Sequence, residues 1–194
     1  MESGRAPSVK FTYGDFVNFP NDGRRHEIID GEHFVTPSPV ARHQTISMNL
    51  TLALGAFLKE HPIGVIFAAP FDVVLSDLDV VEPDLLFIGR ERATILTDQH
   101  VRGAPDLVVE ILSPGTRRTD EVTKRKLYER VGVAEYWVVD PELEVIKVYR
   151  RDLQRHELFA RATEPSAEGN DMLATPLLPG FAAPLTQLFA PAFQ

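Results

Sequence analysis

The chain has no cysteine, no long apolar run and fewer basic than acidic residues. Without cysteine there are no disulfides and no Cys-based zinc or redox sites, and the composition agrees with a cytoplasmic setting. No apolar stretch approaches the ~20 residues needed to span a bilayer, so no membrane association is expected. The start, Met1-Glu2-Ser3-Gly4-Arg5, lacks the basic-then-apolar pattern of a signal peptide. Lys and Arg number 20 against 28 Asp and Glu, a net charge of −8. That balance argues against a non-specific nucleic-acid coat and leaves room for an enzyme with a local basic patch. GxGxxG, Walker-type and GxSxG motifs are absent, and the serines lack a histidine at triad spacing. The histidines at 26, 33, 43, 61, 100 and 156 show no HExxH-type spacing.

With 194 residues, 44% hydrophobic and 25% charged, the chain fits one soluble globular domain. We read residues 1–10 as a flexible tail and 11–194 as that domain. Thr12 caps a short helix over Tyr13–Phe19. His26–Ile29 and His33–Thr36 form a hairpin about the turn pair Asp30-Gly31. A helix follows from about Val40 to Glu60, with Ile46, Leu50, Ala53 and Phe57 on one face and His43 at its edge. Strands are expected at Val65–Ala68, Phe71–Leu75, Val81–Ile88 and Leu107–Leu112, with a polar connection over 89–105. A helix capped by Thr119 runs to Val131 and is closed by Gly132. Strands at Glu135–Val139 and Val145–Arg150 come next, then a loose polar stretch at Thr163–Asp171 and an apolar return over Leu177–Phe189. This order is α/β with a mixed sheet, and the crossover helix makes strands 107–112 and 135–139 parallel.

Glu110 is the one charge inside the apolar strand Leu107-Val108-Val109-Glu110-Ile111-Leu112. An unpaired buried carboxylate costs several kcal/mol, so it requires a positive partner. Asp84 follows Pro83 at the head of another apolar run. Acids at matching heights on neighbouring strands, about 4.8 Å apart, can share a divalent cation. Carboxylate oxygens without Cys or His point to Mg²⁺ or Mn²⁺. The plainer alternative is that each acid ends a strand or pairs with an arginine. Lys124 sits at the centre of the helix face formed by Leu127, Tyr128 and Val131. It needs a negative partner or a catalytic task there, unless its stem snorkels to water. Between Arg117 and Arg130, six basic residues stand against three acids, which also reads as a solvated helix face. Glu27, beside Ile28, and His43, at the inward start of the long helix, are weaker candidates.

These residues resemble the PD-(D/E)XK, restriction-endonuclease-like superfamily, and more closely its Uma-two family. The matching segments are His26 to Glu32, Pro39 to Gln44, Glu82-Pro83-Asp84 to Phe87 and Gly103 to Pro114. They continue with Asp120 to Lys124 to Tyr128, Glu135 to Pro141 and Leu178-Pro179-Gly180. The resemblance implies an αβββαβ core with an N-terminal hairpin. It implies a Mg²⁺- or Mn²⁺-dependent nuclease that cuts DNA with a metal-activated water. Asp84, Glu110 and the carbonyl of Ile111 would be metal ligands, with Lys124, Glu27 and His43 beside them. The superfamily lysine two residues after the acid is Leu112 here, and the family pattern moves it to Lys124. A homodimer is one further expectation, which the sequence itself does not settle. The alternatives are a non-catalytic dimerisation or partner-binding module of the same fold, and a metal hydrolase acting on small phosphoesters.

Overall fold

Thr12 starts the first element with a capping box: its hydroxyl accepts from Asp15 N–H while Asp15 reaches back to the Thr12 N–H. This computed structural model describes residues 9–152 and 158–193, so most of the expected tail lies outside the described residues. Helix α1 (Tyr13–Phe16) is shorter than expected, ending well before Pro20. Strands β1 (Arg25–Ile29) and β2 (Glu32–Thr36) pair antiparallel about the Asp30-Gly31 turn, where both residues take positive φ. Helix α2 (Ala41–Glu60) buries His43, Ile46, Leu50, Leu54 and Leu58 at helical spacing.

Next come β3 (Gly64–Ala68), β4 (Val73–Ser76), β5 (Asp79–Val81) and β6 (Leu85–Gly89). The run expected as one strand, Val81–Ile88, is therefore two strands in two sheets. Pro83 has no N–H to give a ladder, and Glu82-Pro83-Asp84 carries the chain from one sheet to the other. The 89–105 connection holds a 3₁₀ helix at Arg90–Ile95 and the short β7 (Val101–Arg102). Strand β8 (Leu107–Ile111) is buried throughout.

The following helix does not start at a Thr119 cap. A turn held by Arg117 N–H to Ser113 O leads into a wide π turn, Thr119–Lys124, which continues as α3 (Arg125–Val131). Gly132, at φ +92°, supplies the left-handed cap. Strands β9 (Glu135–Asp140), β10 (Val145–Asp152) and β11 (Leu158–Thr163) follow. The stretch expected to be loose is pinned: Val145 bridges to Ser166, and Asp171 accepts from Ser166 N–H at 2.9 Å. Beyond it, β12 (Met172–Ala174) pairs with β13 (Ala182–Pro184), and α4 (Leu185–Leu188) packs back on α2.

The main sheet has the order β11-β10-β9-β8-β6-β3, with β8 and β9 parallel and the other pairs antiparallel. The sequence α2, β3, β6, β8, α3, β9 gives the expected αβββαβ core. A second sheet, β2-β1-β5-β4-β7, carries the N-terminal hairpin. Side-chain alternation divides the core in two. Leu85, Phe87, Leu107, Val109, Ile111 and Trp137 meet α2 on one face. Leu86, Ile88, Val108, Leu112 and Tyr136 meet Leu127 and Tyr128 of α3 on the other. No helix among the described residues is long and apolar enough to cross a membrane.

Candidate active site

The parity that sorts the core also aims the acids. Glu110 has the parity of Val108 and Leu112, which meet α3, and Asp84 has the parity of Leu86 and Ile88 just ahead of β6. The register Leu85 to Val109 sets Asp84 opposite Glu110 when carried one residue further. The hairpin joins from the second sheet, where Glu27 lies between Arg25 and Ile29 on the same side of β1. From the other face, the first turn of α2 brings His43 past the end of β6.

These side chains form one hydrogen-bonded cluster. Lys124 Nζ lies 3.1 Å from Glu110 Oε1, 2.8 Å from Glu27 Oε1 and 3.7 Å from Asp120 Oδ1. The Tyr128 hydroxyl donates to the same Glu110 oxygen at 2.7 Å. Asp84 Oδ1 accepts from Arg25 at 2.7 Å, and its Oδ2 accepts from Ile111 N–H at 2.7 Å and lies 3.1 Å from His43 Nε2. Glu27 also accepts from Glu82 N–H, which ties the hairpin to the Glu82-Pro83-Asp84 crossing. The five sequence-derived residues Glu27, His43, Asp84, Glu110 and Lys124 thus come together, and Ile111 lines the same cavity.

Arg25, Glu82, Asp120 and Tyr128 belong to the cluster as well. For Asp120 and Tyr128 the signal was their spacing of four from Lys124, which stacks them on its helix face. Arg25 pairs with Asp84 and Glu82, so the arginine alternative for Asp84 is realised alongside its place in the cluster.

Charge in this cluster is unbalanced. Glu27, Glu82, Asp84, Glu110 and Asp120 contact two permanent cations, Arg25 and Lys124. Burial opposes ionisation of Asp84, but His43, Arg25 and the Ile111 N–H outweigh it and hold its pKa below the usual carboxylate range. Glu110 goes the other way: burial lifts it well above that range, more than Lys124 draws it down. Burial also lifts Asp120 to about 6 and Glu82 to about 7. Lys124 is held well above an ordinary lysine because three carboxylates outweigh its burial. Three acids share one ammonium, so the cluster retains a proton that an isolated ion pair would release.

Among the described residues no three acids or histidines already converge as a ligand set, since the carboxylates turn to Lys124, Arg25 and His43. The chemistry of the carboxylates still suits a hard cation, with oxygen donors in excess of positive charge, and His43 Nδ1 is buried beside them with no hydrogen-bond partner. The cluster forms the floor of a cavity of about 400 Å³, walled by the loops at 36–40 and 112–117.

A mixed sheet with a parallel β8–β9 pair, an Asp–Glu pair across β6 and β8 and a lysine on the crossover helix define a restriction-endonuclease-like domain. Within that class the chain belongs to the Uma2 family, described as "Putative restriction endonuclease", which matches residues 13–186. A solved structure described as a putative nuclease belonging to DUF820 from Anabaena variabilis ATCC 29413 shares the fold. Its TM-score is 0.73 at 21% identity, covering 92% of this chain and 97% of that one. The type IIG restriction endonuclease BpuSI matches with a TM-score of 0.41 at 12% identity, over 79% of this chain and 16% of that chain. Curated proteins give no match.

Proposed function

We propose that this protein is a divalent-metal-dependent nuclease that hydrolyses phosphodiester bonds in DNA. The observation that supports this most is the buried excess of carboxylate over cation at the floor of an open cavity, with Asp84 and Glu110 opposed across two strands. Asp84, Glu110 and the Ile111 carbonyl would hold Mg²⁺ or Mn²⁺. When bound, such an ion polarises a phosphoryl oxygen and lowers the pKa of water.

The protein's own groups supply the rest. Lys124 presents a permanent positive charge to the negative charge that develops on the phosphoryl oxygens. Glu27 and Asp120 hold that ammonium together with Glu110. His43 orients Asp84, and its free Nδ1 is available to a water or phosphate oxygen. In the net reaction water oxygen forms a new bond to phosphorus and one ester P–O bond breaks. One proton of water goes to the leaving oxygen, giving an alcohol and a phosphate monoester.

The test is a panel of DNA and RNA substrates with Mg²⁺ and Mn²⁺, and Glu110→Gln as control. The amide keeps an acceptor for Lys124 and Tyr128, so the variant folds; we expect its cleavage to vanish and its Mn²⁺ heat of binding to fall. Full activity in Glu110→Gln would defeat the proposal.

A second reading has its own support. Every carboxylate in the cluster already has a protein partner, as in a non-catalytic dimerisation or partner-binding module that keeps the fold. That reading calls for no carboxylate-dependent Mn²⁺ binding by calorimetry, and for a homodimer by sedimentation equilibrium with no cleavage in the panel.

A further inference from the structure

The walls of the cavity decide what can reach its floor. Asp84 and Glu110 are each 3% exposed and Lys124 4%. Above them stand Pro37, Pro39 and Val40 on one side and Leu112 and Pro114 on the other. These walls are mostly apolar, with the hydroxyls of Ser38, Ser113 and Thr116 and the guanidinium groups of Arg42 and Arg117 among them. A volume of about 400 Å³ falls in the small-ligand class of roughly 300–1,000 Å³.

A paired duplex does not suit this shape. It is a stiff cylinder whose persistence length is about 150 base pairs, with its phosphates on the outside. It is held by rows of free Lys and Arg that neutralise those phosphates. The two arginines that line the cavity mouth are already engaged. Arg42 bonds Glu144 and the Phe189 carbonyl, and Arg117 bonds Asp140 and Glu142. An unpaired strand is narrow and flexible. Its bases have apolar faces, and a guanidinium plane can stack on them.

We infer that the substrate is nucleic acid with an unpaired segment, an end or a flap, whose nucleotide enters the cavity with its base against Pro37, Pro39 and Val40 and its phosphate toward Lys124. The inference rests on the nuclease reading above and narrows its substrate class.

The test uses one labelled sequence in three forms, with Mn²⁺: single strand, blunt duplex, and duplex with a single-stranded tail. The single strand and the tail should be cut at least about tenfold faster than the blunt duplex, the scale of one lost base contact. Val40→Trp adds bulk at the rim on a side chain that is 65% exposed. Gly115→Trp does so on the opposite loop, where an added Cβ meets nothing within 4 Å. Either variant should melt as the parent does and raise KM for the single strand. Blunt duplex cut as fast as single strand would overturn the inference and leave the nuclease reading standing. So would two folded rim variants with unchanged KM. No cleavage of any form, or turnover of small phosphoesters alone, would remove the nuclease reading and the inference with it.

Discussion

The Tyr128 hydroxyl donates to Glu110 across 2.7 Å at a site where both side chains are buried. Tyr128→Phe keeps the ring and removes only that bond. A buried intramolecular hydrogen bond contributes about 0.5–1.5 kcal/mol, and denaturant melts of the variant should show a loss of that order. Lys124→Ala is a harsher change, since it leaves Glu27, Glu110 and Asp120 without their common cation. Breaking a buried ion pair from one side costs about 3–5 kcal/mol, so at neutral pH this variant should melt far below Glu110→Gln. Equal melting of the two would mean that Lys124 is not the neutralising charge. Glu110 and Lys124 were legible in the sequence because each breaks a local pattern, one a continuous apolar run and the other the apolar face of a 3.6-residue period. Arg25 was not: it stands at the edge of a hairpin strand that reads as half exposed. What makes it part of the site is a contact with Asp84, 59 residues away, and no periodicity reports that.

At the scale of elements, the chain's apolar runs locate strands but do not say which sheet takes them. Val81 and Leu85 stand in one unbroken stretch of sequence, yet Val81 pairs with Val73 and Leu85 with Val109. The proline between them marks the crossing, and it reads equally well as a strand start. The π turn at Thr119–Lys124 was invisible for a related reason. Nothing in its residue types distinguishes a wider turn from an α-turn, and Asp120 and Lys124 are the two residues it buries. The β12–β13 pair escaped because each strand is three residues long, too short for alternation to register. Close packing of strand on strand gives a direct test. Gly64 lies opposite Gly89 where β3 meets β6, and a Cβ there would sit 2.4 Å from the Ile88 carbonyl oxygen and 2.5 Å from the Phe87 ring. Backbone cannot step aside as a flexible side chain does. Gly64→Ala should therefore cost about 1–3 kcal/mol in a denaturant melt, as overpacking does. An unchanged midpoint would show that β3 has slack against β6.

For the whole molecule, the sign of the stored charge sets how stability follows pH. Asp120 and Glu82 are lifted by burial to about 6 and about 7. A carboxyl raised on folding holds a proton that the unfolded chain gives up. Its contribution is complete below the ordinary carboxylate value and is lost as pH climbs through the folded value. Asp84 and Asp140 are lowered; their contribution is complete above the ordinary value and fails only in acid. His33, lowered first by burial, also favours folding less once pH falls below the ordinary histidine value. Between about pH 6 and pH 8 the acids of the cluster dominate, so the melting temperature should fall as pH rises, and Glu82→Gln should flatten that fall. The same excess charge makes the test of a cation sharper than a single titration would. Protons and a divalent ion answer the same deficit, so Mn²⁺ should raise the melting temperature more at about pH 8 than at about pH 6. A melting temperature that rises over this range, or a Mn²⁺ effect larger at the lower pH, would contradict the charge balance assigned to the cluster.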